Sequence, residues 1–191
     1  MSSFDSEEHF FLALNAISEK AHDRAIDHLK EITSGEYYSR AVYLLGAEYA
    51  EIGMYDRAKQ SFQSIIDVEP LKEMVRLQKG LLHIFLDEQH EARLCLGQLV
   101  EVRNEASFIY WFAQGILVSL DSQNQKAIEC LKKGVELNEV NEPLNEDMRK
   151  YIEKLSVSSP DVTATESSEK SKNIRTEISN KFLLTNYKDE S

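Results

Sequence analysis

His9, His22, His28, His83 and His90, the thiols Cys95 and Cys130, and the carboxylate pairs Glu7-Glu8, Asp87-Glu88 and Glu146-Asp147 are the residues of this chain best suited to chemistry. Imidazoles and carboxylates act as metal ligands or as general acids and bases, and a thiol acts as a nucleophile, but each use demands a fixed spacing. The histidines form no H-E-x-x-H, and neither a nucleophile elbow nor a phosphate-binding glycine loop occurs. Cys95 and Cys130 lie 35 residues apart without a C-x-x-C partner, so they read as small buried apolar groups rather than as a disulfide or zinc site. The carboxylate pairs fall near expected helix ends, where they aid solubility and suit a helix dipole. The expectation is a non-catalytic protein with no metal and no cofactor.

Charge narrows the partners. A net charge of −11 without a basic stripe disfavours nucleic acid, whose binding rests on displacing counterions with Lys and Arg. No apolar run approaches the roughly 18 residues of a membrane helix, and Met1-Ser2-Ser3-Phe4-Asp5 lacks the basic and apolar regions of a secretory signal. Membrane insertion is therefore not expected, and a cytoplasmic location is.

The elements that must carry these side chains are helices. Ala13, Gly46, Gly80 and Gly115 recur at steps of 33, 34 and 35, and Ala25, Ala58, Ala92 and Ala127 recur in the same steps. Two coincident series predict four stacked units at about 6–38, 39–72, 73–107 and 108–141. Helices are predicted in pairs near 6–19 and 23–34, 39–52 and 55–67, 71–86 and 89–102, and 105–120 and 124–137, with Gly35, Gly53 and Asp121-Ser122 as turns. A mid-helix Gly costs roughly 1 kcal/mol relative to Ala, so Gly46, Gly80 and Gly115 are read as places where crossing helices approach closely. Gly46→Leu is expected to destabilise strongly and Gly134→Ala much less. Pro70 is expected to stop the second helix of its unit.

Pro143 sits in the first turn of a predicted last helix, 143–155, which carries Leu144, Met148, Tyr151, Ile152 and Leu155 on one side and charge on the other, as a cap on the stack requires. The expected domain is thus residues 1–155. Residues 156–191 read as a disordered tail, with a weakly amphipathic segment at 174–187 formed by Ile174, Ile178, Phe182, Leu183, Leu184 and Tyr187.

Leu45, Gly46, Tyr49, Gly53, Tyr55, Ala58, Phe62 and Pro70 have the spacing of a tetratricopeptide repeat (TPR), and the chain resembles that family. The fourth unit keeps Trp111, Gly115, Ala127 and Leu131, and the third keeps Gly80, Ala92, Leu96 and Leu99 but has Lys79 and His83 where large residues are usual. His83 thus takes a packing position that could respond to pH, although a satisfied core histidine is the simpler reading. The resemblance implies an all-α, right-handed superhelical solenoid of about four helix pairs plus the capping helix. It also implies a concave groove, lined by first helices, that binds a segment of another protein.

In the family's frame the groove positions are Phe10, Phe11, Leu14, Arg40, Tyr43, Leu44, Met74, Leu77, Leu81, Phe85, Ile109, Phe112 and Ile116, about half of which must also pack between helices. An apolar strip of this size calls for a covering partner. The clamp for acidic chaperone tails is absent, because its positions carry Phe10, Leu14, Leu44, Met74 and Gln78. The expected function is a protein-binding module that holds an apolar segment, as an assembly adaptor or dedicated chaperone. In size, acidity and repeat architecture the chain also resembles bacterial type III secretion chaperones, from which it departs in having four units rather than three and no long N-terminal helical extension. The alternative is self-association, in which a homo-oligomeric scaffold has its groove or end covered by a sister chain or by its own tail.

Overall fold

The computed structural model describes residues 5–157, and these contain nine α-helices and no strand. They are α1 (Ser6–Ser18), α2 (His22–Glu31), α3 (Tyr38–Glu51), α4 (Tyr55–Ser64), α5 (Lys72–Phe85), α6 (Gln89–Glu101), α7 (Phe108–Leu120), α8 (Asn124–Leu137) and α9 (Glu142–Val157). The fold is all-α and of the helical-solenoid class. The expected tail segment 174–187 lies outside the described residues.

Two compact units divide within α5, the first reaching Val75 and the second starting at Arg76. In the first unit α1 packs on α2, α2 on α3 and α3 on α4. Its core holds Phe10, Ala13, Ala25, Leu29, Tyr43, Leu44, Ala58 and Phe62. In the second, α6 packs on α7, α7 on α8 and α8 on α9, around Leu77, Leu81, Ala92, Leu96, Phe112, Ile116, Ala127 and Leu131.

The recurring small residues have a specific steric role. A Cβ built at Gly46 would lie 2.8 Å from Phe62, at Gly80 2.5 Å from Leu96, and at Gly115 2.7 Å from Leu131. Each large residue stands 16 positions after its glycine, so the second helix of every pair drives a side chain into the gap left by the first. Ala13 and Leu29 hold the corresponding positions in the first pair, and both are buried. The alanines of the second series, Ala25, Ala58, Ala92 and Ala127, are each 0% exposed.

The turn inside each pair repeats just as closely. Lys20, Gly53, Asp87 and Ser122 adopt φ of 58°, 78°, 62° and 59°, the left-handed conformation that ends a helix in a Schellman motif. The amides of Ala21, Met54, Glu88 and Gln123 donate to the carbonyls of Ala16, Tyr49, His83 and Val118, five residues earlier. The same four residues begin the second helices, whose first hydrogen bonds run from Ala25, Ala58, Ala92 and Ala127 back to their carbonyls. One residue thus closes the first helix and opens the second, so the turn needs no side-chain cap. Only Gly53 of the four left-handed positions carries the residue type that favours this conformation.

Caps appear where such a turn is lacking. Asp5 and Glu8 form a reciprocal capping box at the start of α1, with both bonds at 2.9 Å. Ser107 caps α7 by accepting from the Ile109 amide at 3.2 Å. The link from α8 to α9 is a buried asparagine network absent from the sequence-based picture. The Asn138 side chain donates to the Asn141 carbonyl and to Asn145 Oδ1, Asn145 donates back to the Asn138 carbonyl, and Asn141 Oδ1 accepts from the Leu144 amide. Buried polar groups of this kind cost stability unless paired, and here the pairing sets where α9 begins.

Two local expectations need correction. Pro70 does not stop the preceding helix: α4 ends at Ser64, and Pro70 is exposed in the connection to α5. Gly134 is not a permissive site. It is buried, and an added Cβ would strike Cδ1 and Cε1 of Phe112, so the absent side chain on α8 makes room for that ring on α7.

Candidate protein-interaction surface

Burial divides the expected groove residues into two groups. Phe10, Tyr43, Leu44, Leu77, Leu81, Ile109, Phe112 and Ile116 are buried, with at most 9% exposure, and these belong to the core. The reason lies in helix pairing. Tyr43 stands 6.0 Å ring to ring from Phe62, and Phe112 packs against Gly134, so apolar positions assigned to a groove instead fill the space between paired helices. Phe11 is 57% exposed, while Leu14, Arg40, Met74 and Phe85 are half-buried.

Within the first unit, Phe11 heads an aromatic cluster. Its ring lies 6.5 Å from Tyr37 and 6.3 Å from Phe10, and Phe10 lies 4.9 Å from Tyr37 beneath it. Leu14 is three residues further along the same helix, which puts it on the face of Phe11. Tyr38 is 39% exposed beside Tyr37 in sequence. The Tyr37 phenol titrates above its ordinary value, through desolvation first and then through the negative charges of Glu7 and Glu36, with Arg40 opposing. The patch is thus aromatic with an acidic edge. Tyr37 and Tyr38 escape the sequence-based reading because they fall between the predicted helices of two units; the signal available was two adjacent tyrosines beside a groove position.

The signature residue Trp111 is half-buried rather than core, donating from Nε1 to the Glu105 carbonyl at 2.8 Å with the Lys133 ammonium 3.9 Å above its ring. Tyr49 is buried, and the Arg57 guanidinium lies 5.5 Å from its ring.

The titratable residues pair off. His83 is buried, and its Nδ1 stands 2.6 Å from Glu88 Oε2, so it is a partnered core histidine. His22 Nδ1 lies 2.8 Å from Oε2 of Glu48, whose side chain is fully buried. Burial pushes the Glu48 carboxyl above the usual glutamate range, with the hydrogen bond and charge of His22 opposing. The other Glu48 oxygen, Oε1, is buried without a hydrogen-bond partner among the described residues. Sequence reasoning missed Glu48, although a glutamate two residues after Gly46 in an apolar run was a visible clue. His9 and His28 meet Nδ1 to Nδ1 at 3.1 Å across α1 and α2, and no cluster of three or more potential metal ligands occurs among the described residues. Cys95 and Cys130 are free and half-buried, and burial, their largest perturbation, raises both thiols, which disfavours the reactive thiolate. No described helix is long and apolar enough to cross a membrane.

Paired helices closed by a repeated Schellman turn, with a small residue in one accepting a large residue from the other, define a helical-repeat protein, a class whose members serve as protein-interaction scaffolds. Residues 39–70 match the tetratricopeptide repeat family model. That match identifies residues 39–70 as a tetratricopeptide repeat. No curated protein matches it. Among solved structures, it is similar to MamA 41-end from Desulfovibrio magneticus RS-1, with 20% identity and a TM-score of 0.57 over 91% of this chain and 92% of that one. A MamA RS-1 ArsTM double mutant gives 19% identity and a TM-score of 0.57 over 91% of both chains. These similarities show the fold.

Proposed function

We propose that the chain is a non-catalytic interaction module that holds an apolar segment of a partner protein, as an assembly adaptor or dedicated chaperone. The observation that carries this reading is Phe11, a large aromatic side chain 57% exposed at a groove position of the first repeat and backed by Tyr37. An exposed aromatic anchored by a second ring is the kind of group that dominates binding energy once a partner covers it. Leu14 and Arg40 extend the contact surface in the first unit. Met74 in the first unit and Phe85 in the second are the further half-buried groove positions assigned to binding. The free thiols Cys95 and Cys130 accord with action in a reducing compartment such as the cytoplasm.

Affinity capture with mass spectrometry tests this, comparing the chain with its Phe11→Ser variant. A partner retained by the parent and depleted at least about tenfold by the variant is expected for loss of an anchor worth about 1.4 kcal/mol or more. Identical captured proteins with both chains, at equal melting temperature, would remove Phe11 from the binding surface.

A further inference from the structure

We propose that the partner segment held at the Phe11–Tyr37 patch is both apolar and cationic, with a leucine, methionine or aromatic side chain over Phe11 and a neighbouring lysine or arginine against Glu7 and Glu36. This chemistry rests on the binding function assigned above and involves residues of the first compact unit alone.

The apolar half of the specificity comes from the rings. Tyr37 stands edge-on to the exposed Phe11, at 61° between planes, and the buried Phe10 lies against both. A ring held from two sides has little freedom left to lose when it is covered. A partner's apolar side chain therefore gains burial there at low entropic cost.

The charged half comes from an imbalance. On α1, Glu7 and Glu8 precede Phe11 by four and three residues, while Leu14 and Asn15 follow it by three and four. The helix face that carries Phe11 is thus acidic at one end, and α1 contains no Lys or Arg to offset it. Glu8 is committed to the capping box with Asp5, but Glu7 and Glu36 are exposed. Besides its desolvation, the Tyr37 phenol feels the charge of Glu7 and then that of Glu36, so both carboxylates border the ring that backs Phe11. Neither forms an ion pair among the described residues, whereas Glu19 pairs with Arg24, Asp56 with Lys59 and Glu69 with Lys72 in the same unit. Arg40 is the one cation that acts on Tyr37, and two carboxylates outweigh it.

A lysine or arginine from the partner satisfies this edge. Its charged end also has an aromatic face to lie on at Phe11, as the Lys133 ammonium lies 3.9 Å above the Trp111 ring in the second unit. An anionic segment meets the opposite situation, because it adds a negative charge to an edge that already has too many. The same field speeds the approach of cationic partners at low salt.

Fluorescence anisotropy with the full chain tests this, using three short labelled peptides built from leucine and lysine, from leucine and glutamate, and from serine and lysine. The leucine–lysine probe should bind at least about tenfold more tightly than either of the others. Phe11→Ser should weaken it at least about tenfold, and Glu7→Gln with Glu36→Gln about fivefold. Glu139→Gln with Glu153→Gln removes the same charge from exposed positions of the second unit and should change its affinity by less than about twofold, which separates the patch from the total charge of the chain. Circular dichroism establishes that these variants remain folded. Equal or tighter binding of the leucine–glutamate probe, equal weakening by the two double variants, or no binding of any probe below about 1 mM overturns the proposal. A dimer that Phe11→Ser dissolves in sedimentation also overturns it, by making the patch an interface between copies. If Phe11→Ser loses its captured partner in the assay above while the leucine–lysine probe is indifferent to Glu7→Gln with Glu36→Gln, the binding function stands and the cationic chemistry alone is excluded.

Discussion

A Cβ at position 46 would sit 2.8 Å from Cε1 of Phe62, a ring that is itself fully buried. The two residues therefore form one packing unit, in which hydrogen at 46 is the condition for an aromatic at 62. Gly46→Leu should lower the melting temperature by an amount equivalent to at least ~1–3 kcal/mol, the usual cost of overpacking. Gly97→Ala is the control, because nothing lies within 4 Å of a Cβ there and α6 should gain up to ~1 kcal/mol of helix propensity. Thermal unfolding of the two variants measures both, and equal shifts in the same direction would refute the contact.

Gly134 and Phe112 make the reverse arrangement, with the ring on the first helix and the glycine on the second. Gly134→Ala should be destabilising by ~1–3 kcal/mol despite its small size. Phe112→Leu in the same chain should recover part of the loss, because a smaller side chain leaves room for the methyl. A double-mutant cycle by denaturant unfolding measures this, and strictly additive effects would mean that the two do not touch.

Glu48 should make stability fall with rising pH. Its folded-state pKa is raised, chiefly by burial, so the native protein holds this proton more tightly than the unfolded chain does. The associated stability is full below the ordinary glutamate value of about 4.3 and is lost as pH rises through the raised native value. Glu48→Gln cannot ionise and keeps a polar group beside His22. Its melting temperature relative to the parent should therefore climb across that interval and level off above it. A constant difference at every pH would show that Glu48 titrates normally.

Lys20 occupies, without glycine, the left-handed turn position that Gly53 fills in the next repeat. A non-glycine residue in this conformation carries a strain of about 1 kcal/mol or more. Lys20→Gly should raise the melting temperature, less the unfolded-state entropy that glycine adds. Gly53→Lys should lower it by a comparable amount, since the strain it adds is partly offset by the same unfolded-state entropy. Unchanged stability in both would mean that the turn is too loose to discriminate.

The expected helices agree with those observed to within a few residues because repetition lent the pattern weight: Ala13, Gly46, Gly80 and Gly115 register four helix pairs whatever their neighbours are. Tyr43 and Phe11 show where the pattern stops. Both were groove positions in the linear reading, yet Tyr43 is 2% exposed and Phe11 57%. Spacing states which residues share a side of a helix; whether another helix occupies that side depends on shape. His83 shows the same limit: the sequence favoured a satisfied core histidine, but only folding named its partner, Glu88, at 2.6 Å.

What the amino-acid order determined by itself is therefore periodic and local: helical class, the number of pairs, the small residues at each crossing, and the acidic balance of the chain. What tertiary structure alone decided is pairwise. It put Phe112 over Gly134, buried Glu48 beside His22, joined three asparagines into the entry of α9, and left Phe11 exposed against Tyr37. The physical reason is that periodicity follows from backbone geometry, which every residue shares, whereas a contact depends on the volume and polar atoms of two particular side chains that meet only after folding.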